Sequence, residues 1–184
     1  MKHRCFIAIY PSIEAKGALT AFIQSAKNYN QSRSIVYVKT DILHSTLHFL
    51  GYRNEEEIDI IDSIVYEAVK KFCSFVLSIE NLSGFPNLTN PKVLFLECID
   101  ITGTVNQLQN EIGRKLFEAG FEIDTRKWVC HFTLARIKKN IELDLSHLLP
   151  SSVSFKVEKI FLMKSVLGKN GPTHSVIKNY TLYS

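Results

Sequence analysis

LHSTLHFLG, residues 43 to 51, carries polar side chains where a half-buried strand would carry apolar ones. Side chains alternate between the two faces of a strand, so straight alternation puts His44, Thr46 and His48 together on one face. An imidazole and a hydroxyl two residues apart are either a chemical device or ordinary surface. The pattern recurs: residues 130 to 136 read CHFTLAR, and His-x-Thr-Leu at 44 to 47 returns at 131 to 134, 87 residues later (131 − 44). A single His and a single Thr on a strand are unremarkable. Two matched copies make each presented pair a half of one site.

The elements around the two copies predict the fold class. RCFIAIY (4 to 10) reads as a strand, ended by Pro11-Ser12, where the serine caps a helix running to about Lys27. SIVYV (34 to 38) and LHSTLHF (43 to 49) read as strands joined by a short connection at Thr40-Asp41. Asn54 and Glu57 have capping-box spacing, and Ile58, Ile61, Val65 and Val69 then form one helical stripe. SFVLSIEN (74 to 81) and KVLFLECI (92 to 99) read as strands around the loop SGFPNLTNP. Val105, Leu108, Ile112 and Leu116 repeat at helical spacing, with Gly120 placed to cap the C-terminus. WVCHFTLARI (128 to 137) is extended, and SVSFKVEKIFLMKSV and THSVIKNYTLYS read as two closing strands across the turn at 167 to 172. Most strand pairs are too close in sequence for a helical crossover. The expectation is an α+β fold of antiparallel sheets packed by three helices, a single domain over residues 1 to 184 with no linker.

Composition narrows the setting. A chain of 184 residues that is 46% hydrophobic can bury one generous core. Its net charge of +4 suits an anionic ligand without demanding one. Cys5, Cys73, Cys98 and Cys130 form no CxxC pair and read as reduced thiols. The apolar run before Pro11 is too short for a signal core or a membrane span, so the expected location is the cytoplasm, with no membrane partner.

If the two copies face one another, two His and two Thr line a cleft suited to phosphoryl chemistry without a metal or other cofactor. One neutral imidazole accepts a proton from an attacking water while the other, protonated, donates to the leaving oxygen. The hydroxyls of Thr46 and Thr133 donate to phosphate oxygens and hold phosphorus in line. Residue pattern alone leaves the two histidines interchangeable. A zinc site drawn from His44, His48 and His131 lacks a carboxylate or Cys partner at ligand spacing, and His48 reads better as a residue at the cleft rim or as one that supports the site residues from behind. Arg136 falls, by strict alternation, on the face opposite His131 and Thr133. Arg126 and Lys127 precede the second copy and either steer an anionic ligand or sit in a solvated loop.

These residues resemble the 2H phosphoesterase superfamily, and within it the RNA 2′,3′-cyclic phosphodiesterases, also called 2′-5′ RNA ligases. RCFIAIYPS, LHSTLHFLG, GFPNLTNPKVLFLECI, EAGFEIDTRKWVCHFTLARI and FLMKSVLGKNGPTHSVIKNYTL resemble successive segments of that family in order and spacing. The resemblance implies two pseudosymmetric lobes with the active-site cleft between them. It implies hydrolysis of an RNA 2′,3′-cyclic phosphate, tRNA fragments included, to a 2′-phosphomonoester by a monomeric enzyme, with a reversible 2′-5′ RNA ligase activity beside it. It also implies that His44 is the proton donor, His131 the proton acceptor, and Thr46 and Thr133 the phosphate-binding hydroxyls. Two positions depart from the pattern of the family that the chain resembles: Cys130 stands where Pro is common, and Thr173-His174 where an aromatic is usual; His174 either touches the nucleotide or sits on the surface, and the surface is the expectation. A noncatalytic RNA-binding module and a phosphodiesterase acting on 2′-5′ oligonucleotides remain the alternatives.

Overall fold

A computed structural model describes residues 2–169 and 171–184; Met1, at the head of the first strand segment, and Asn170, inside the expected closing turn, lie outside the described residues. The elements run β1 (His3–Ile9), α1 (Ile13–Tyr29), β2 (Ile35–Tyr37), a 3-10 turn (Thr40–Ile42), β3 (Ser45–Arg53), α2 (Glu55–Val69), β4 (Phe75–Phe85), β5 (Val93–Ile99), α3 (Thr104–Glu118), β6 (His131–Ile137), β7 (Val153–Val157), β8 (Lys159–Gly168) and β9 (Gly171–Thr181). Local chemistry sets the helix ends where the sequence places them. Ser12 accepts from the Ala15 N–H. Asn54 and Glu57 close a capping box. Gly120, at φ +85°, ends α3 with Gly120 N donating to Phe117 O and Phe121 N to Leu116 O, the two bonds of a Schellman cap.

The strands form two antiparallel sheets, β3-β1-β8-β9 and β2-β6-β5-β4-β7. Apart from β2 at one edge, the two orders correspond: β3 matches β6, β1 matches β5, β8 matches β4 and β9 matches β7. This is the pseudo-twofold arrangement the repeat implies, in an α+β fold. The apparent long strand at 152 to 166 is two strands. Val153–Val157 pairs with β4, and Lys159–Gly168 pairs with β1 and β9, so the chain passes from one sheet to the other at Glu158. A continuous apolar run does not distinguish one strand from two successive strands in different sheets. The expected loop also shortens, because β4 extends through Phe85 to pair with β5.

The lobes are tied by their crossover helices. α1, between β1 and β3, packs on β7 of the other sheet, and α3, between β5 and β6, packs on β3 and α2. One cluster of buried residues therefore runs through both lobes, from Ile7 and Leu47 to Leu77, Phe132 and Phe155. Among the described residues no helix is long and apolar enough to cross a membrane.

Candidate active site

The two His-x-Thr-Leu copies meet where β3 of one sheet lies against β6 of the other. Ser45, fully buried, accepts a hydrogen bond from the His131 N–H at 3.3 Å, and the Trp128 indole N–H donates to Thr46 O at 3.0 Å. The residue between His and Thr in the first copy is thus a clamp on the second.

Each copy contains a β-bulge at the same place. Ala8 pairs with Thr46 and Ile7 with His48, which leaves Leu47 as the extra residue. Phe95 pairs with Thr133 and Leu94 with Ala135, which leaves Leu134 extra. Both leucines are buried. A bulge resets alternation, so every residue beyond it changes face relative to a straight strand. Two expectations are corrected by this. His48 does not share a face with His44: it is 5% exposed, and its Nε2 donates to the Gln109 carbonyl of α3 at 2.8 Å. The zinc trio of His44, His48 and His131 is therefore not assembled. Arg136, set opposite Thr133 by strict alternation, returns to the cleft face, where its charge bears on both His44 and His131.

The catalytic candidates are held alike. His44 Nδ1–H donates to Ile42 O and His131 Nδ1–H donates to Val129 O, each at 2.7 Å and two residues back along the chain. That bond fixes the tautomer and leaves Nε2 of each ring as the atom able to exchange a proton. Thr46 and Thr133 are half-buried beside them. Aromatic rings wall both imidazoles. Phe6, His174 and Tyr10 lie 4.9, 5.0 and 5.9 Å from His44, and Phe95 and Phe85 lie 4.7 and 5.4 Å from His131, centroid to centroid. Burial pushes the His44 pKa down to about 4; the Ile42 carbonyl opposes the shift, and the neighbouring His174, His131 and Arg136 add to it. Burial also lowers His131, opposed by the Val129 carbonyl and the Glu97 carboxylate and reinforced by Arg136. Without an anion between them, both rings favour the neutral form.

His174 is not a bystander on the surface. It is half-buried, meets His44 edge-on, packs on Phe6 at 4.8 Å, and its Nδ1 is shut off from solvent without a hydrogen-bond partner. The pairing of Ser165 with His174 across β8 and β9 places it there; the departure at Thr173-His174 marked the position, and residue pattern alone did not put the ring beside His44. Tyr10, whose hydroxyl is buried and unpartnered, was likewise invisible to pattern; burial raises its pKa to about 12. Arg126 is exposed and engaged by Asp124, and Lys127 lies in the same exposed loop. Cys130 is buried, and its Sγ sits 3.5 Å from Ser45 Oγ, inside the clamp.

Comparison with known proteins agrees with this geometry. No family model matches the chain. The RNA 2′,3′-cyclic phosphodiesterase of Archaeoglobus fulgidus is 32% identical over 145 residues, covering 77% of this chain and 80% of the relative. That of Aquifex aeolicus is 29% identical over 153 residues, covering 79% and 81%. The crystal structure of Escherichia coli LigT complexed with 3′-AMP superposes with a TM-score of 0.83 at 19% identity, covering all of both chains, and so shares the fold. Sequence identity over four-fifths of a relative's length, on a fold that brings two bulged His-x-Thr-Leu strands together, establishes that the chain belongs to the RNA 2′,3′-cyclic phosphodiesterase family.

Proposed function

We propose that the protein hydrolyses the 2′,3′-cyclic phosphate at the end of an RNA to a 2′-phosphomonoester. The observation that supports this reading is the paired bulge on the two strands that carry His44 and Thr46 and His131, Thr133 and Arg136, together with the matched Nδ1–H bonds that fix the tautomer of each imidazole. His131 Nε2 takes a proton from water as the water oxygen bonds to phosphorus. The P–O3′ bond breaks opposite it, and His44 Nε2–H gives its proton to O3′. Thr46, Thr133 and Arg136 donate to the non-bridging oxygens, where charge accumulates in the transition state.

The electrostatics support this division. His44, with its proton affinity driven low, is a strong acid once charged, and Glu97 helps His131 remain the better base. The charged form of His44 is supplied by the substrate: a phosphodiester monoanion beside the ring favours the imidazolium. Both halves of the site come from one chain, which supports a monomeric enzyme, and four free thiols suit the cytoplasm. With the 5′-hydroxyl of a second RNA in place of water, the same proton transfers form a P–O5′ bond as the P–O3′ bond breaks, which leaves a 2′-5′ linkage and a free 3′-hydroxyl.

RNAs ending in a 2′,3′-cyclic phosphate, incubated with the protein in the presence of a chelator, should yield a terminal 2′-phosphate. A 3′-phosphate would contradict the proposal. Binding of the RNA without turnover would favour a noncatalytic module, and turnover abolished by chelation would favour metal chemistry. His44→Ala or His131→Ala should cut kcat by about 10²- to 10⁴-fold, and Thr46→Ala or Thr133→Ala by less.

A further inference from the structure

We propose that the face of the β3-β1 sheet beyond Thr46, built from Phe49, Tyr52 and Arg4, holds the nucleotides that lie 5′ of the cyclic phosphate in a single-stranded RNA. The proposal rests on the phosphodiesterase reading and adds to it where the rest of the RNA runs.

A second bulge in β3 makes this face. Phe6 pairs with Phe49 and Cys5 with Gly51, so Leu50 is the extra residue, and Arg4 then pairs with Tyr52. With bulges at Leu47 and Leu50, residues Thr46, Phe49 and Tyr52 share one face at a spacing of three. A regular strand would put Phe49 on the face opposite Thr46 and Tyr52. Phe49 is 57% and Tyr52 61% exposed, while Leu47, His48 and Leu50 of the same strand are buried. Arg4 is exposed directly across from Tyr52. At the rise of an extended strand the two rings lie about 10 and 20 Å from Thr46, the reach of a short oligonucleotide. Exposed aromatic rings with an adjacent cation are what a single strand needs, since every base has a face to stack and every linkage a charge to neutralise.

The pseudo-twofold axis sharpens the assignment. Phe49 stands five residues after His44, as Arg136 stands five after His131, each just past its bulge. The same position therefore carries a guanidinium on one lobe and an aromatic ring on the other. The first suits the phosphate and the second a base. The opposite lobe is the poorer track: Glu97 pairs with His131 there and would repel a polyanion, and Phe85 is already packed on Phe95 at 4.4 Å and on His131.

The test compares cytidine 2′,3′-cyclic phosphate with tetraribonucleotides ending in the same group. In the wild-type protein kcat/KM should be higher for the tetranucleotide. The ratio of the two values should fall roughly ten-fold in Phe49→Ala and in Tyr52→Ala, the loss expected of one base stack, and recover in Phe49→Trp. Arg4→Ala should reduce the salt dependence of tetranucleotide binding by about 0.7 in the log–log slope, one phosphate contact. Ratios unchanged in both alanine variants, or an equivalent loss confined to Phe85→Ala, would overturn the proposal. Should the wild-type protein turn over neither substrate, the phosphodiesterase reading fails by itself. Fluorescence anisotropy with a labelled, unreactive tetraribonucleotide then still reads the track, with weakened binding in Tyr52→Ala expected and unchanged binding overturning it.

Discussion

His44 in the unliganded site is neutral at pH 7, yet the acid step requires its charged form. Closing that gap with the substrate's own charge makes a specific prediction. Binding of an unreactive cyclic phosphate analogue near pH 7 should draw about one proton from solution. Calorimetry in buffers of different ionisation enthalpy reads this directly; a binding enthalpy independent of buffer would remove His44 from the donor role. His174 yields a second prediction. Its edge meets the His44 ring at 5.0 Å while its own Nδ1 has no partner, so shape is the part of the side chain in use. His174→Phe should keep most of kcat, and His174→Ala should lose up to about ten-fold, the scale of one aromatic pair. If Phe fails to rescue, while KM rather than kcat moves, the ring contacts substrate instead of holding His44.

At the scale of elements, α3 and β3 approach each other through a glycine. A methyl group at Gly113 would meet His48 Cε1 at 2.8 Å, and that ring cannot swing away without breaking its bond to the Gln109 carbonyl. Replacing glycine by alanine inside a helix ordinarily gains up to about 1 kcal/mol. Overpacking of this kind costs about 1–3 kcal/mol, so Gly113→Ala should lower the urea midpoint on balance. Gly17, inside α1, isolates the other effect, because a methyl group added there would have nothing within 4 Å: Gly17→Ala should raise the midpoint. If both variants move in the same direction, the close approach of α3 to His48 is not what sets the first. The pair also links packing to function, because His48 is the residue that the Leu47 bulge turns inward.

For the whole molecule, pH and stability are coupled through four histidines. His44, His48, His131 and His174 all have lowered pKa values, each with burial as the largest cause. The unfolded chain therefore binds more protons than the folded one between the ordinary histidine value and the depressed ones. Stability from this source is fully present above about pH 6.5 and is lost as pH falls toward the folded values, near 4 for His44. Urea midpoints should fall steadily from pH 7 to pH 5. A midpoint that rose over that range would mean that these rings are charged in the folded protein.

Much of this protein was legible in residue order alone. Helix caps at Ser12, Asn54 and Gly120, the antiparallel α+β class, and the duplicated His-x-Thr-Leu are local or periodic features, and periodicity survives in one dimension. What the sequence alone could not set was which face each residue takes once the strand departs from regular pleating. A bulge is defined by the partner strand: Leu47 is extra only against Ile7 and Ala8, and Leu134 only against Leu94 and Phe95. Those two offsets bury His48 and bring Arg136 into the cleft. The passage from β7 to β8 at Glu158 and the placement of His174 beside His44 are decided in the same way, by pairing between segments distant in the chain. The sequence determined which residues could do the chemistry, and the tertiary structure decided which of them face one another, because facing is a property of paired strands and not of one strand.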